Sequence, residues 1–114
     1  HAEIHKTALG AEDSVEWKHY ASALEAVQAL HDEGYEVYAL EQVEGSVSLN
    51  DFVPENGKKY AIVLGNEVKG VAQEVVDACD GALEIPQFGT KHSLNVSVSG
   101  GIAIWHFAKS LLGL

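Results

Sequence analysis

Apolar and polar positions along the chain fall into short segments of changing period. In SALEAVQALHDEG, residues 22–34, Leu24, Val27 and Leu30 recur at helical spacing, and Gly34 supplies a C-terminal stop. YEVYAL, residues 35–40, predicts a strand. EGSVSLNDF, residues 44–52, is polar and predicts a short helical or extended piece, and Pro54, Asn56 and Gly57 predict a turn. KKYAIVLG, residues 58–65, is a continuous apolar run ending in glycine, the pattern of a strand buried on both faces. VAQEVVDAC, residues 71–79, predicts a short helix with Val71, Val75 and Val76 inward, and GALEIP, residues 81–86, another buried strand. GIAIWHFAKSLLGL closes the chain with Ile104, Phe107, Ala108 and Leu111 at helical spacing. One stretch reads two ways: Leu94 to Val98 alternates like a half-buried strand, yet it leads through Gly100 and Gly101 into this last helix.

Strands separated by helices predict parallel pairing and an α/β layered fold in a single domain spanning residues 1–114. In such sheets ligands lie beyond the carboxyl ends of the strands. That rule points to the loops after Leu40, Leu64 and Ile85.

Composition narrows the function. A chain of 114 residues is long enough to bury a core without staples. No apolar run approaches the roughly 18 residues of a membrane span. A lone cysteine, Cys79, excludes an internal disulfide and suggests a reducing, cytoplasmic setting; its place at a helix end favours a small core residue over a nucleophile. The chain starts at His1 and holds neither Met nor Arg, from which a piece of a longer product is expected. The net charge of −10, concentrated in residues 11–55, argues against a self-sufficient nucleic-acid binder.

Several residues have a chemical and a plain structural interpretation. Gly65 lets a ligand approach the backbone closely, while Asn66 and Glu67 serve equally as helix caps. Ser93 and Asn95 can position a substrate or begin a helix. His92 is a candidate acid or base in a loop. His1 and His5 have i, i+4 spacing but no further ligands in order, so no metal site is expected. Trp17, Trp105, Phe107 and Tyr60 suit core or interface packing, and Phe88 lies in a loop. No dinucleotide-binding, P-loop or nucleophile-elbow sequence is present.

YAIVLGNEVKGV followed by EIPQFGTKHSLNVSVSGGIAIW resembles the second and third signature motifs of the SpoU/TrmH family of RNA ribose 2′-O-methyltransferases, of the α/β-knot class. The likeness is close over residues 60–107; HKTALGAEDSVEW and EVYALEQ agree more loosely. The resemblance implies a mostly parallel sheet flanked by helices, in which the chain after Ile85-Pro86 threads a preceding loop to form a deep trefoil knot. Ser93-Leu94-Asn95 then opens the final helix, which settles the ambiguous alternation as helical.

The resemblance further implies S-adenosylmethionine as cofactor, RNA (tRNA or rRNA) as substrate, and a homodimer with the last helix, residues 102–112, at its interface. Backbone groups of Gly65, Ile85 and Leu94 are implied to hold the cofactor, with Leu64 and Pro86 flanking the adenine slot, and Glu41 and Gln42 touching its methionine or ribose part. Glu67, Ser93 and Asn95 are implied to position the target ribose and the general base. The family's first motif carries an Asn and an Arg, the latter assigned to activating the 2′-hydroxyl. This chain has no Arg, so it is expected to lack the first strand and first motif and to be impaired in turnover. A non-catalytic knotted module binding S-adenosylmethionine or RNA is the alternative. The acidic balance would then be offset by basic residues outside the chain, or by a dimer gathering Lys58, Lys59, Lys91 and His92 around the mouth of the site.

Overall fold

A computed structural model describes residues 3–7, 15–19, 22–66, 69–86 and 95–114, the first two of these stretches by their backbone. The elements run β1 (Glu3–Thr7), β2 (Val15–His19), α1 (Ala23–Asp32), β3 (Tyr35–Leu40), β4 (Val47–Ser48), a 3-10 turn (Leu49–Asp51), β5 (Lys59–Leu64), α2 (Gln73–Ala78), β6 (Gly81–Glu84) and α3 (Val96–Leu111). They form one six-stranded sheet in the order β2-β1-β5-β3-β6-β4.

From β3 onward the sheet is parallel, as the alternation of strands and helices predicted. β5 pairs with β3, β3 with β6, and β6 with β4, all parallel. The first two strands are different: β1 pairs antiparallel with both β2 and β5. The apolar pattern had not marked either of them as a strand, because HKT and VEWKH are too polar to stand out. The short stretch 8–14 between them suits antiparallel neighbours, since parallel strands need a crossover of a dozen residues or more. The sheet is therefore mixed, with its parallel part carrying the loops that matter below.

Both faces of the parallel part are covered. Val37, Ala61 and Val63 pack beneath α1 and α2 with Ala26, Val27, Leu30 and Val75. On the other face Tyr60, Ile62, Leu64 and Leu83 meet Ala103, Phe107 and Leu111 of α3. β5 alternates strictly between these two clusters, which is why its sequence is apolar without interruption. Each buried Val, Leu, Ile or Phe among them contributes roughly 1.5–3 kcal/mol of transfer free energy.

The helices end as their sequences dictate. The Ser22 hydroxyl accepts from the Glu25 amide at the start of α1, and Gly34 takes φ +86° just past its end. On α1 the inward face is Ala26, Val27 and Leu30, with Leu24 only half-buried. On α3 it is Gly100, Ala103, Phe107 and Leu111, with Ile104 and Ala108 half-buried. α3 is tied down at mid-length, where His106 Nε2 donates to the Phe52 carbonyl at 2.7 Å.

Candidate functional site

The carboxyl ends of β3, β5 and β6 and the N-terminus of α3 enclose a cavity of about 630 Å³. The three loops singled out by the strand-end rule all reach it: Leu40 to Val43, Leu64 to Asn66 and Glu84 to Ile85 line its walls. Asn95, Val96 and Ser99 close it from α3. Leu40, Val43, Leu64, Val71, Leu83, Ile85 and Val96 give it an apolar body; Glu41, Glu84, Lys69 and the two asparagines give it a polar rim. A volume of this size suits a small organic ligand, for which pockets of roughly 300–1,000 Å³ are usual.

The loop from Gly65 to Val71 folds back on itself. The Gly70 amide donates to the Asn66 carbonyl at 2.8 Å, and the Lys69 amide to Asn66 Oδ1 at 3.1 Å. Gly65 must be glycine, because a Cβ there would stand 2.2 Å from the Gly70 carbonyl carbon and 2.4 Å from the Val71 nitrogen. Gly70 has φ +68°, and a Cβ on it would fall 2.3 Å from Glu41 Oε2. The two ends of the loop are therefore in backbone contact, and only glycines permit it.

Carboxylates hold the neighbouring loop. Glu41 Oε2 accepts from the Val71 amide at 2.8 Å. Glu84 accepts from Gln42 Nε2 at 3.0 Å and from the Ser46 hydroxyl at 2.6 Å, which straps residues 42–46 onto the end of β6. At the start of α3 it is Asn95, not Ser93, that caps the helix: its Oδ1 accepts from the Ser97 amide at 2.8 Å.

Of the residues the sequence singled out, Leu64, Gly65, Ile85 and Asn95 come together around the cavity. Pro86 is half-buried next to Ile85 but does not line the cavity. Glu67, Ser93 and Leu94 lie outside the described residues, as do Phe88, Lys91, His92 and His1. Glu41 and Gln42 line the cavity, with their side chains bonded to protein groups: Glu41 to the Val71 amide and Gln42 to Glu84. Lys58 and Lys59 do not stand at the mouth of this chain's cavity. They sit at the opposite end of β5 from Leu64, where Lys58 pairs with Glu36 at 2.8 Å and Glu55 at 3.2 Å, and Lys59 lies over the Tyr35 ring. Val43, Lys69, Val71, Val96 and Ser99 are lining residues the sequence had not marked. Val96 and Ser99 lie three apart at a helix start, a spacing visible only once the alternation is known to be helical.

Cys79 packs half-buried against the α1–α2 cluster, and burial, then the Asp80 carboxylate, pushes its thiol up to about 11. It is a packing residue with no thiolate character near neutral pH. Among the described residues no three His, Cys, Asp or Glu side chains stand together in a way that could hold a metal ion, and no helix is long and apolar enough to cross a membrane.

A parallel α/β sheet with a glycine-shaped cavity at its strand ends defines a small-ligand-binding α/β domain. The comparisons make this specific. The model of the SpoU rRNA Methylase family matches residues 1–105, and the chain belongs to that family. It is 31% identical over 97 residues to a tRNA (guanosine(18)-2′-O)-methyltransferase of Borreliella burgdorferi, covering 85% of this chain and 44% of that protein. It is 30% identical over 112 residues to the 23S rRNA (guanosine-2′-O-)-methyltransferase RlmB of Xanthomonas axonopodis pv. citri, covering 98% of this chain and 44% of that one. Among solved structures, the TrmH/SpoU tRNA modifying enzyme of A. aeolicus superposes with a TM-score of 0.68 at 28% identity, over 78% of this chain and 44% of the other. The chain thus spans less than half the length of these relatives.

Proposed function

We propose that this chain is the methyl-donor-binding part of an S-adenosylmethionine-dependent RNA methyltransferase that acts on a ribose 2′-hydroxyl of tRNA or rRNA. One observation carries the reading: Leu64 and Gly65 of one signature segment and Ile85 and Asn95 of the other converge on a single cavity, beside Val96 and Ser99 of α3. The names of the relatives, tRNA and rRNA 2′-O-methyltransferases, support the reaction class.

The residues present fit such a donor. The apolar body of the cavity suits a purine ring, and Gly65 leaves its backbone open to close approach. The donor, when bound, supplies an electrophilic methyl group. In this reading the backbone of Gly65, Ile85 and Leu94 holds it, Leu64 and Pro86 flank it, and residues 87–94 thread through the preceding loop as a trefoil knot. Glu67, Ser93 and Asn95 orient the ribose, because in-line transfer to a hydroxyl depends on placement and on removal of its proton. The exposed stripe Val98, Ile102, Trp105 and Leu112 on α3 is the homodimer face, and the protein works in the cytoplasm.

The family's activating Arg has no counterpart among these 114 residues, so the single domain is proposed to lack the first strand and first motif and to turn over poorly alone. The same absence of Arg favours a second reading, a knotted module that binds the donor or RNA without chemistry. Calorimetric titration of the chain with S-adenosylhomocysteine tests the binding half, and saturable binding is expected. Methylation of total tRNA and rRNA, with the nucleoside identified by mass spectrometry, tests the chemistry. Absence of binding sinks the first reading and the donor-binding form of the second, whereas binding by this chain, and by a longer chain restoring the upstream motif, without methyl transfer leaves only the second.

A further inference from the structure

Glu41 ties together the end of β3, strand β6 and the loop after β5. Its amide donates to the Leu83 carbonyl at 3.0 Å, fixing the end of β3 to β6. Its Oε1 accepts from the Gln42 amide at 3.3 Å, which braces its own loop. Its Oε2 accepts from the Val71 amide at 2.8 Å, which anchors the far end of the loop after β5. Gly70 is shaped around the same oxygen, since any Cβ there would stand 2.3 Å from it. Gly65 in turn rests against Gly70 and Val71, so the contact is relayed to a residue that lines the cavity.

We infer that Glu41 is a positioning residue: its carboxylate holds the Gly65–Val71 loop in its ligand-accepting shape and acts through the Val71 amide, not by touching the methyl donor. The inference rests on the reading above for the identity of the ligand. The geometry supports bracing: both carboxylate oxygens accept from backbone amides, and a charged acceptor makes the stronger bond. No Lys or His forms an ion pair with Glu41 among the described residues, so its role there does not depend on a balancing cation. An acceptor oxygen is what the Val71 amide needs, and a glutamine provides one.

The test compares the unsubstituted chain with Glu41→Ala, Glu41→Gln and Gly70→Ala. S-adenosylhomocysteine affinity is read by calorimetry, and Val71 amide exchange by NMR without ligand. Glu41→Ala is expected to weaken binding at least tenfold and to speed Val71 exchange at least tenfold, while Glu41→Gln stays within about threefold on both. Gly70→Ala, which displaces the carboxylate from the loop side, is expected to behave like Glu41→Ala and serves if that variant does not fold. A glutamine variant as damaged as the alanine one for binding, with Val71 still protected, overturns the inference in favour of direct charge contact. Unchanged binding in Glu41→Ala overturns it as well. No binding by the unsubstituted chain overturns the methyl-donor reading instead, and the affinity claim falls with it.

Discussion

A Cβ on Gly100, in the second turn of α3, would lie 2.8 Å from Leu64 Cδ1 at the end of β5. Leu64 is buried among Tyr60, Ile62, Leu83, Ala103 and Phe107, so its side chain can retreat only toward the cavity it lines. Alanine at position 100 would gain about 1 kcal/mol in helix propensity, but overpacking a filled core costs about 1–3 kcal/mol. The clash is expected to win narrowly. Gly100→Ala should lower the urea midpoint by an amount equivalent to roughly 1 kcal/mol, and Gly100→Val by more. A stabilised Gly100→Ala protein would show that α3 rides further from β5 than described.

That contact also marks where the sequence could and could not be read. Tyr60–Leu64 was legible as a doubly buried stretch, because both of its faces meet helices and every one of its positions is therefore apolar. The loops after Leu40, Leu64 and Ile85 were legible as the site from strand order alone. The start of α3 was not legible from periodicity. Asn95, Ser97 and Ser99 alternate with apolar residues as in a strand, whereas in the fold the Ser97 amide donates to Asn95 Oδ1 and the Ser99 amide to the Asn95 carbonyl, which opens a helix. β1 and β2 were missed because EIHKT holds a single aliphatic residue and the alternation of Val15 and Trp17 with Glu16 and Lys18 is too short to stand out. The bracing of one loop by Glu41 across 30 positions of sequence exists only after folding.

Asn95 offers a separable stability test. Its Oδ1 satisfies the Ser97 amide, which is otherwise an orphan donor of the first helical turn. Asn95→Ala should destabilise the chain by about 1 kcal/mol, within the 0.5–2 kcal/mol spread of cap deletions. Asn95→Ser should restore most of this, because a hydroxyl caps nearly as well. Chemical denaturation of the three proteins checks it. If serine failed to restore stability, the amide would have to be held by something other than capping.

Cys79 predicts a pH dependence. Its folded-state thiol is pushed up to about 11, by burial first and then by Asp80, against an ordinary value near 9. The folded chain therefore keeps its proton over a range where the unfolded chain loses it. The corresponding stability is fully present below about pH 9 and is lost as the pH rises from there through 11. The urea midpoint should fall between pH 9 and 10.5, and Cys79→Ala should flatten the part of that fall due to the thiol. In parallel, iodoacetamide at pH 8 should modify Cys79 far more slowly than a free thiol, since its thiolate fraction is about a hundredfold smaller. Rapid alkylation of the folded chain would contradict the burial described.

The outer face of α3 carries Val98, Ile102, Trp105 and Leu112, with Trp105 57% exposed. Positions 98, 102 and 105 follow helical spacing, so these side chains form a stripe opposite the packed face of Ala103 and Phe107. Val53, which follows Phe52, the residue whose carbonyl His106 binds, and Leu114 at the chain end are exposed as well. Self-association through this face should bury the Trp105 ring, the largest apolar surface on the stripe. Sedimentation equilibrium at micromolar concentration is expected to give a dimer, and Trp105→Glu a monomer with unchanged circular dichroism. A Trp105→Glu protein that still dimerises would move the interface off α3, and an unsubstituted chain that stays monomeric at 100-fold higher concentration would remove it altogether.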